Sequence, residues 1–286
     1  MSVSTRPISE HFSVFLRTGR LGDLAAAIRL IIRQRRLLEA SYGALCYITA
    51  RPGSVLKIAG PDLEVLLSRT RGILESMRAQ REQVLRDFAL NSPEVDPPTH
   101  CLIHGFAITD DGYIIGQYVE GAARIYVRSD GTCLCHDPYK GDRGVRHIHS
   151  VFKYNNTVLI STGDAHRYLD EYVTESGRLK MKRRVVRLLG GFTAGCTVNG
   201  HLLLGTDFSE RPNYVLCFDT GKKFWFPRPA FNQQCALMVA IDDRYVVCFN
   251  LTTHCFGDRK TVSVFDTGTM EFVCCAPYAD DDLYPN

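Results

Sequence analysis

Residues 194–226, AGCTVNGHLLLGTDFSERPNYVLCFDTGKKFWF, read as four short strands joined by turns. The runs Ala194–Val198, His201–Gly205, Tyr214–Phe218 and Lys222–Phe226 are each five residues long, the usual strand length in an antiparallel sheet. Two of the connections are tight, Asn199-Gly200 and Asp219-Thr220-Gly221, and carry the residues that accept the left-handed backbone of a hairpin turn. The connection between them is longer and polar.

The same unit recurs. Its first turn matches Asp110-Asp111-Gly112, Asn155-Asn156-Thr157 and Asp242-Asp243, and its second matches Ser129-Asp130-Gly131, Glu175-Ser176-Gly177 and Asp266-Thr267-Gly268. Successive glycines of the second set lie 46, 44 and 47 residues apart. A period near 45 with two hairpins per unit is the pattern of propeller blades. The first unit repeats the strands at Leu102–Thr109, Tyr113–Tyr118, Arg124–Arg128 and Thr132–His136. One four-stranded sheet cannot bury both of its faces, so neighbours must stack around an axis. The expected fold is therefore an all-β propeller of about four to five four-stranded antiparallel blades, placed at about 101–136, 147–186, 193–226 and 235–275 within a propeller of residues 100–276. Five blades are favoured, with a hairpin at 44–58 around Arg51-Pro52-Gly53 supplying two strands.

Residues 1–95 form a helical N-terminal region. Leu21, Leu24, Ala25, Ile28, Ile31 and Ile32 recur at helical spacing opposite Arg29, Arg33 and Arg36. A second helix opens at Gly60-Pro61-Asp62, with proline at its first position, and runs to about residue 90. It carries Leu63, Leu66, Leu67, Leu74, Met77, Val84 and Phe88 on one side. These helices are the expected place for a protein partner. Residues 277–286 form an acidic tail.

The formal charge of +3 does not imply nucleic acid, and no run is long enough to span a bilayer. The apolar run Leu24–Ile32 is broken by Arg29 and comes too late for a secretory signal. Eleven cysteines form no paired CxxC zinc motif, and Cys101, Cys196, Cys235 and Cys248 sit in apolar patterns as small core residues. A reducing cytoplasm is expected. The fragment Cys133-Leu134-Cys135-His136 lies on a last strand, where packing is the favoured reading.

In a meander, the first and third turns point one way, and the middle loop and blade-to-blade connection point the other. The middle loops at Tyr118–Ala123, Gly163–Asp170, Asp207–Asn213 and Asn250–Lys260 are long and unequal, so the functional face should lie on their side. His147, His149, Asp164 and Asp207 collect there as candidate catalytic groups, with Arg146, Thr162, His166, Tyr168, Thr206 and Asn213 as candidate binding groups. Strand alternation puts His147 and His149 on one side, where they could orient a general base, contact a sugar or hold a divalent metal; the alternative is two satisfied structural histidines. No tightly bound cofactor is expected. Elimination of a uronate needs a base beside a positive group, types that His147, His149, Tyr168 and Arg146 supply.

The stretch Cys217-Phe218-Asp219-Thr220-Gly221-Lys222-Lys223-Phe224 resembles the S-x-D-x-G-x-x-W turn of sialidase-like, Asp-box β-propellers, and the D-x-G core returns in Val264-Phe265-Asp266-Thr267-Gly268. The histidine-bearing strand ahead of the Thr162-Gly163-Asp164 loop has the same cast. The resemblance implies a carbohydrate-related role, either glycan binding or polysaccharide processing of the hydrolase or lyase type, with a glycan as partner. The arginine triad of true sialidases is not recognisable among Arg124, Arg146, Arg167 and Arg211. The alternative role is a non-catalytic interaction scaffold, for which Trp225 and Phe226 would form the patch.

Overall fold

The structure, a computed structural model, describes residues 62–92, 98, 100–121, 123–175, 177–186, 191–208, 212–227, 230–231, 233–251 and 260–278. The expected helix at 21–38, the hairpin at 44–58 and most of the acidic tail lie outside these residues.

The described strands form four antiparallel sheets, each in simple meander order. Blade 1 holds β1 (Phe106–Ile108), β2 (Gly112–Gly116), β3 (Ile125–Ser129) and β4 (Thr132–His136). Blade 2 holds β5 (Val145–Tyr154), β6 (Thr157–Asp164), β7 (Leu169–Glu175) and β8 (Arg178–Val186). Blade 3 holds β9 (Phe192–Val198), β10 (His201–Thr206), β11 (Tyr214–Cys217) and β12 (Lys223–Trp225). Blade 4 holds β13 (Gln234–Ala240), β14 (Tyr245–Leu251), β15 (Thr261–Asp266) and β16 (Glu271–Pro277). The turn chemistry explains the hairpins. Asp130, Gly131, Asn199 and Gly200 all have positive φ, the backbone that a two-residue hairpin turn demands.

The first strand of each blade is the inner one: β5 lies against β1, β9 against β5 and β13 against β9. Hydrogen bonds stitch these strands together. Ser150 Oγ donates to the Phe192 carbonyl at 2.5 Å, and Thr193 Oγ1 donates to the Cys235 carbonyl at 2.6 Å. The expected strand Leu102–Thr109 is shorter than its apolar run suggests, because the Gly105 amide turns back to the Leu102 carbonyl at 2.8 Å. A Cβ at Gly105 would stand 2.9 Å from the Leu102 backbone, so this turn needs the glycine.

A helix, α1 (Leu63–Asn91), packs against blades 4 and 1. Asp62 caps it, with its carboxylate accepting the Glu64 amide at 3.0 Å, so Pro61 precedes the cap instead of occupying the first helical position. The first half of α1 buries Leu66 and Leu74 against Leu237, Val239, Val247 and Phe249 of blade 4. Its second half buries Val84 and Phe88 against Tyr113, Ile115 and Tyr126 of blade 1. Arg69 reaches the Ile241 carbonyl at 2.9 Å, and Asp87 accepts Tyr113 Oη at 2.8 Å. Each of these apolar side chains contributes about 1.5–3 kcal/mol by leaving water. The helix thus covers a face of blade 4 and a face of blade 1.

Candidate functional site

Topology places the middle loops and the blade-to-blade connections on one face, as the sequence implies. Two groups of polar side chains form there, one closed and one open.

The closed group joins blades 2 and 3. β5 pairs with β6 through register shifts between Val145 and Ile148 and between Ile148 and Ser150. These bulges turn His147 and His149 into the interior, where their rings stack with centroids 4.9 Å apart. Their Nε2 atoms are 2.9 Å apart, a contact in which one nitrogen donates and the other accepts. Gly163 makes room for both: a Cβ there would stand 2.0 Å from His149 Nε2 and 2.6 Å from His147 Nε2. Asp207, at the end of blade 3's second strand, lies 3.0 Å from His149 Nδ1. That distance is an ion-pair approach without hydrogen-bond geometry, since His149 Nδ1 gains no hydrogen-bond partner. Arg167 Nη1 meets the Asp207 carbonyl at 3.3 Å, and the Tyr118 ring covers His147 at 4.2 Å.

Side-chain exposure at His149 and Asp207 is only 5% and 8%. This group is an internal link, and the open space lies elsewhere. Two nitrogens on one tetrahedral zinc would be about 3.3 Å apart, so a shared proton suits the histidine spacing better than a metal does. Asp207 approaches the nitrogen that faces away from the pair, which would make it an outer partner instead of a third ligand. Asp164 ends β6, and its side chain lies outside the described atoms.

Three of the expected binding residues are occupied locally. Thr162 Oγ1 donates to the His166 carbonyl at 2.8 Å and accepts the Tyr168 amide at 2.9 Å, closing the loop of blade 2. Asn213 bonds Thr206 Oγ1, the Phe208 amide and the Phe208 carbonyl, and so closes the corresponding loop of blade 3.

The open group is a cleft of about 430 Å³ between blades 1 and 2. Its walls are the middle loop of blade 1 and the connection that follows β4. Four cations line it, Arg124, Lys140, Arg143 and Arg146, together with three carboxylates, Glu120, Asp137 and Asp142. Two of the carboxylates are engaged. Arg146 Nη2 meets Glu120 Oε1 at 2.7 Å. Asp142 accepts the Gly144 amide at 3.0 Å, Tyr168 Oη at 3.0 Å and His166 Nδ1 at 2.6 Å. Burial pushes the Asp142 carboxyl up, but those three hydrogen bonds outweigh it and hold the group below the usual carboxylate range. Hydrogen bonds to Asp142 keep it ionised, so the lining sets four cationic side chains against three carboxylates, an excess of one positive charge.

Of the expected residues, Arg146 lines this cleft, and His166 and Tyr168 grip it from behind through Asp142. Arg124, Lys140, Asp142 and Arg143 were not expected there. The signal that could have found them is the connection Asp137–Gly144, DPYKGDRG, whose charge and glycines sit on the functional face.

Neither a protein family nor a curated protein matches the sequence. Among solved structures, the dihydro-heme d1 dehydrogenase NirN, in complex with DHE, is similar over 61% of this chain at 15% identity and a TM-score of 0.41. The match spans 37% of that chain, so this protein corresponds to little more than a third of it. The four antiparallel sheets and the helix among the described residues make this chain a β-propeller-like protein; the Asp-box character expected from the turns at Asp219 and Asp266 is not carried by these comparisons.

Proposed function

We propose that this propeller binds a small acidic sugar, of the uronate class, in the cleft between blades 1 and 2. The observation that supports the reading is the cleft's lining, in which three guanidinium groups and a lysine stand beside three carboxylates. Guanidinium forks suit the planar carboxylate of a uronate. The remaining donors and acceptors suit ring hydroxyls, and about 430 Å³ is room for one or two pyranose rings.

His166, half-exposed and outside the cleft lining, bonds Asp142 through Nδ1 and so positions that carboxylate in the cleft wall. The expected scaffold patch is smaller than the sequence suggests: Phe226 is buried against Phe272, which leaves Trp225 as the exposed member of that pair.

Isothermal titration with galacturonate, galactose and inorganic phosphate tests the proposal. Galacturonate should bind more tightly than galactose, and a Lys140→Ala/Arg143→Ala variant should lose at least about tenfold in affinity for it, as expected for charge-assisted contacts. Equal binding of the acidic and neutral sugars, unchanged affinity in the variant, or no binding of either sugar would reject it. Tighter binding of phosphate than of galacturonate would point to a phosphate site instead.

A further inference from the structure

We propose that His201, Cys217 and Asp219 form a three-ligand site for a zinc-class divalent cation on the tight-turn rim of blade 3. The site is on the side of the propeller opposite the cleft and does not rest on the sugar reading.

Sheet geometry brings the three together. β10 pairs with β11 so that Leu203 faces Cys217. Continuing that register places His201 opposite Asp219, with Cys217 two residues away on the same strand face. The ligand atoms of all three lie within 4.8 Å of one another, the one such trio among the described residues. His201 Nδ1 and Asp219 Oδ2 are already 3.6 Å apart. Ligand atoms around a tetrahedral zinc are separated by about 3.5 Å, so closure asks for side-chain rotations moving the sulfur by about 1 Å.

The donor set is imidazole, thiolate and carboxylate, which zinc takes readily and which magnesium and calcium do not favour. The carboxylate is held in advance. Tyr154 Oη, reaching over from blade 2, donates to Asp219 Oδ1 at 2.5 Å, and the Leu202 amide donates to Oδ2 at 3.0 Å. Such outer hydrogen bonds orient metal ligands and raise affinity. Cys217 is buried, whereas His201 and Asp219 are 45% and 24% exposed, so an ion could arrive from the rim and keep one position for water. When the ion binds, a metal–sulfur bond forms and the thiol proton passes to solvent. The bound ion would tie β10 to β11 just beyond the last ladder pair and, through Tyr154, brace blade 3 against blade 2.

Cobalt and zinc titrations of the full chain test this. One Co²⁺ per chain should bind with a sulfur-to-cobalt charge-transfer band, and stoichiometric Zn²⁺ should bleach it. Cys217→Ala should abolish the band. His201→Asn, at an exposed position that should not disturb folding, should weaken zinc by at least about tenfold, and Tyr154→Phe by about tenfold. Absence of the band in the wild-type chain would overturn the proposal. So would a band of unchanged strength in both Cys217→Ala and His201→Asn, because the ion would then be held by other cysteines.

Discussion

His104 sits where three blades meet. It belongs to the turn before β1; its carbonyl accepts the Val151 amide at 2.8 Å, and its Nε2 accepts the Met238 amide at 3.3 Å. An amide donor requires a lone pair on Nε2, so the ring is neutral. Burial pushes its pKa down to about 4, while in the unfolded chain it returns to about 6.5. The unfolded state therefore holds the extra proton between those values. The His104 contribution is intact above pH 6.5 and is lost progressively as pH falls toward 4, by roughly 3 kcal/mol in all. Denaturant melts at several pH values should show this slope in the wild type and lose it in His104→Gln, whose side-chain carbonyl can still accept the Met238 amide. The residue was not legible in the sequence. CLIHGF reads as a strand, and only the turn at Gly105 together with a backbone amide from blade 4 gives the histidine its place. His147 and His149 were legible as a same-side pair, whereas their burial depends on two bulges and on Gly163, which alternation does not encode.

At the scale of elements, β8 carries the basic run Lys180-Met181-Lys182-Arg183-Arg184, of the kind that guards an exposed edge. It is exposed, and it also does something more specific. Arg184 forms two hydrogen bonds to Asp170 at 2.8 and 3.0 Å, and its guanidinium lies 3.4 Å over the Tyr168 ring. Lys182 and Arg183 both reach Glu171, which burial pushes up but these two cations hold below its usual range. Asp170 is fully buried and also accepts Tyr139 Oη at 3.1 Å, at the back of the cleft. Removing its cation would leave a buried carboxylate without its pair. Arg184→Ala should therefore destabilise the protein by about 3–5 kcal/mol, while Lys180→Ala, which meets only exposed Glu175, should cost no more than about 1 kcal/mol. Urea denaturation of the two variants checks the contrast. The strand and its edge position follow from periodicity, but the pairing partners on β7 depend on a register that shifts between Leu169 and Asp170.

For the whole molecule, four described blades and one described helix share the apolar core. The four described blades were legible because each unit carries turn residues whose backbone requirement is stringent: Asp130, Asn155 and Asn199 all adopt positive φ, while the hairpin at 44–58 that would supply a fifth lies outside the described residues. The packing of α1 was not. Its apolar stripe is visible in the sequence, but that its two halves pack on different blades is set by tertiary contacts that periodicity does not encode. The loop face was likewise legible from topology, whereas the cleft was not. Its charge depends on which groups the loops bring together, and Arg146 with Glu120, like His166 with Asp142, meets across separate loops.

The central claim, that this loop-face cleft is the ligand site, is tested most directly by hydrogen–deuterium exchange with and without saturating galacturonate. The account predicts slower exchange in residues 137–146 and 117–121, with no comparable change at the tight-turn rim around 199–201 and 219–221. Unchanged exchange in both cleft walls, or protection confined to another face, would contradict it.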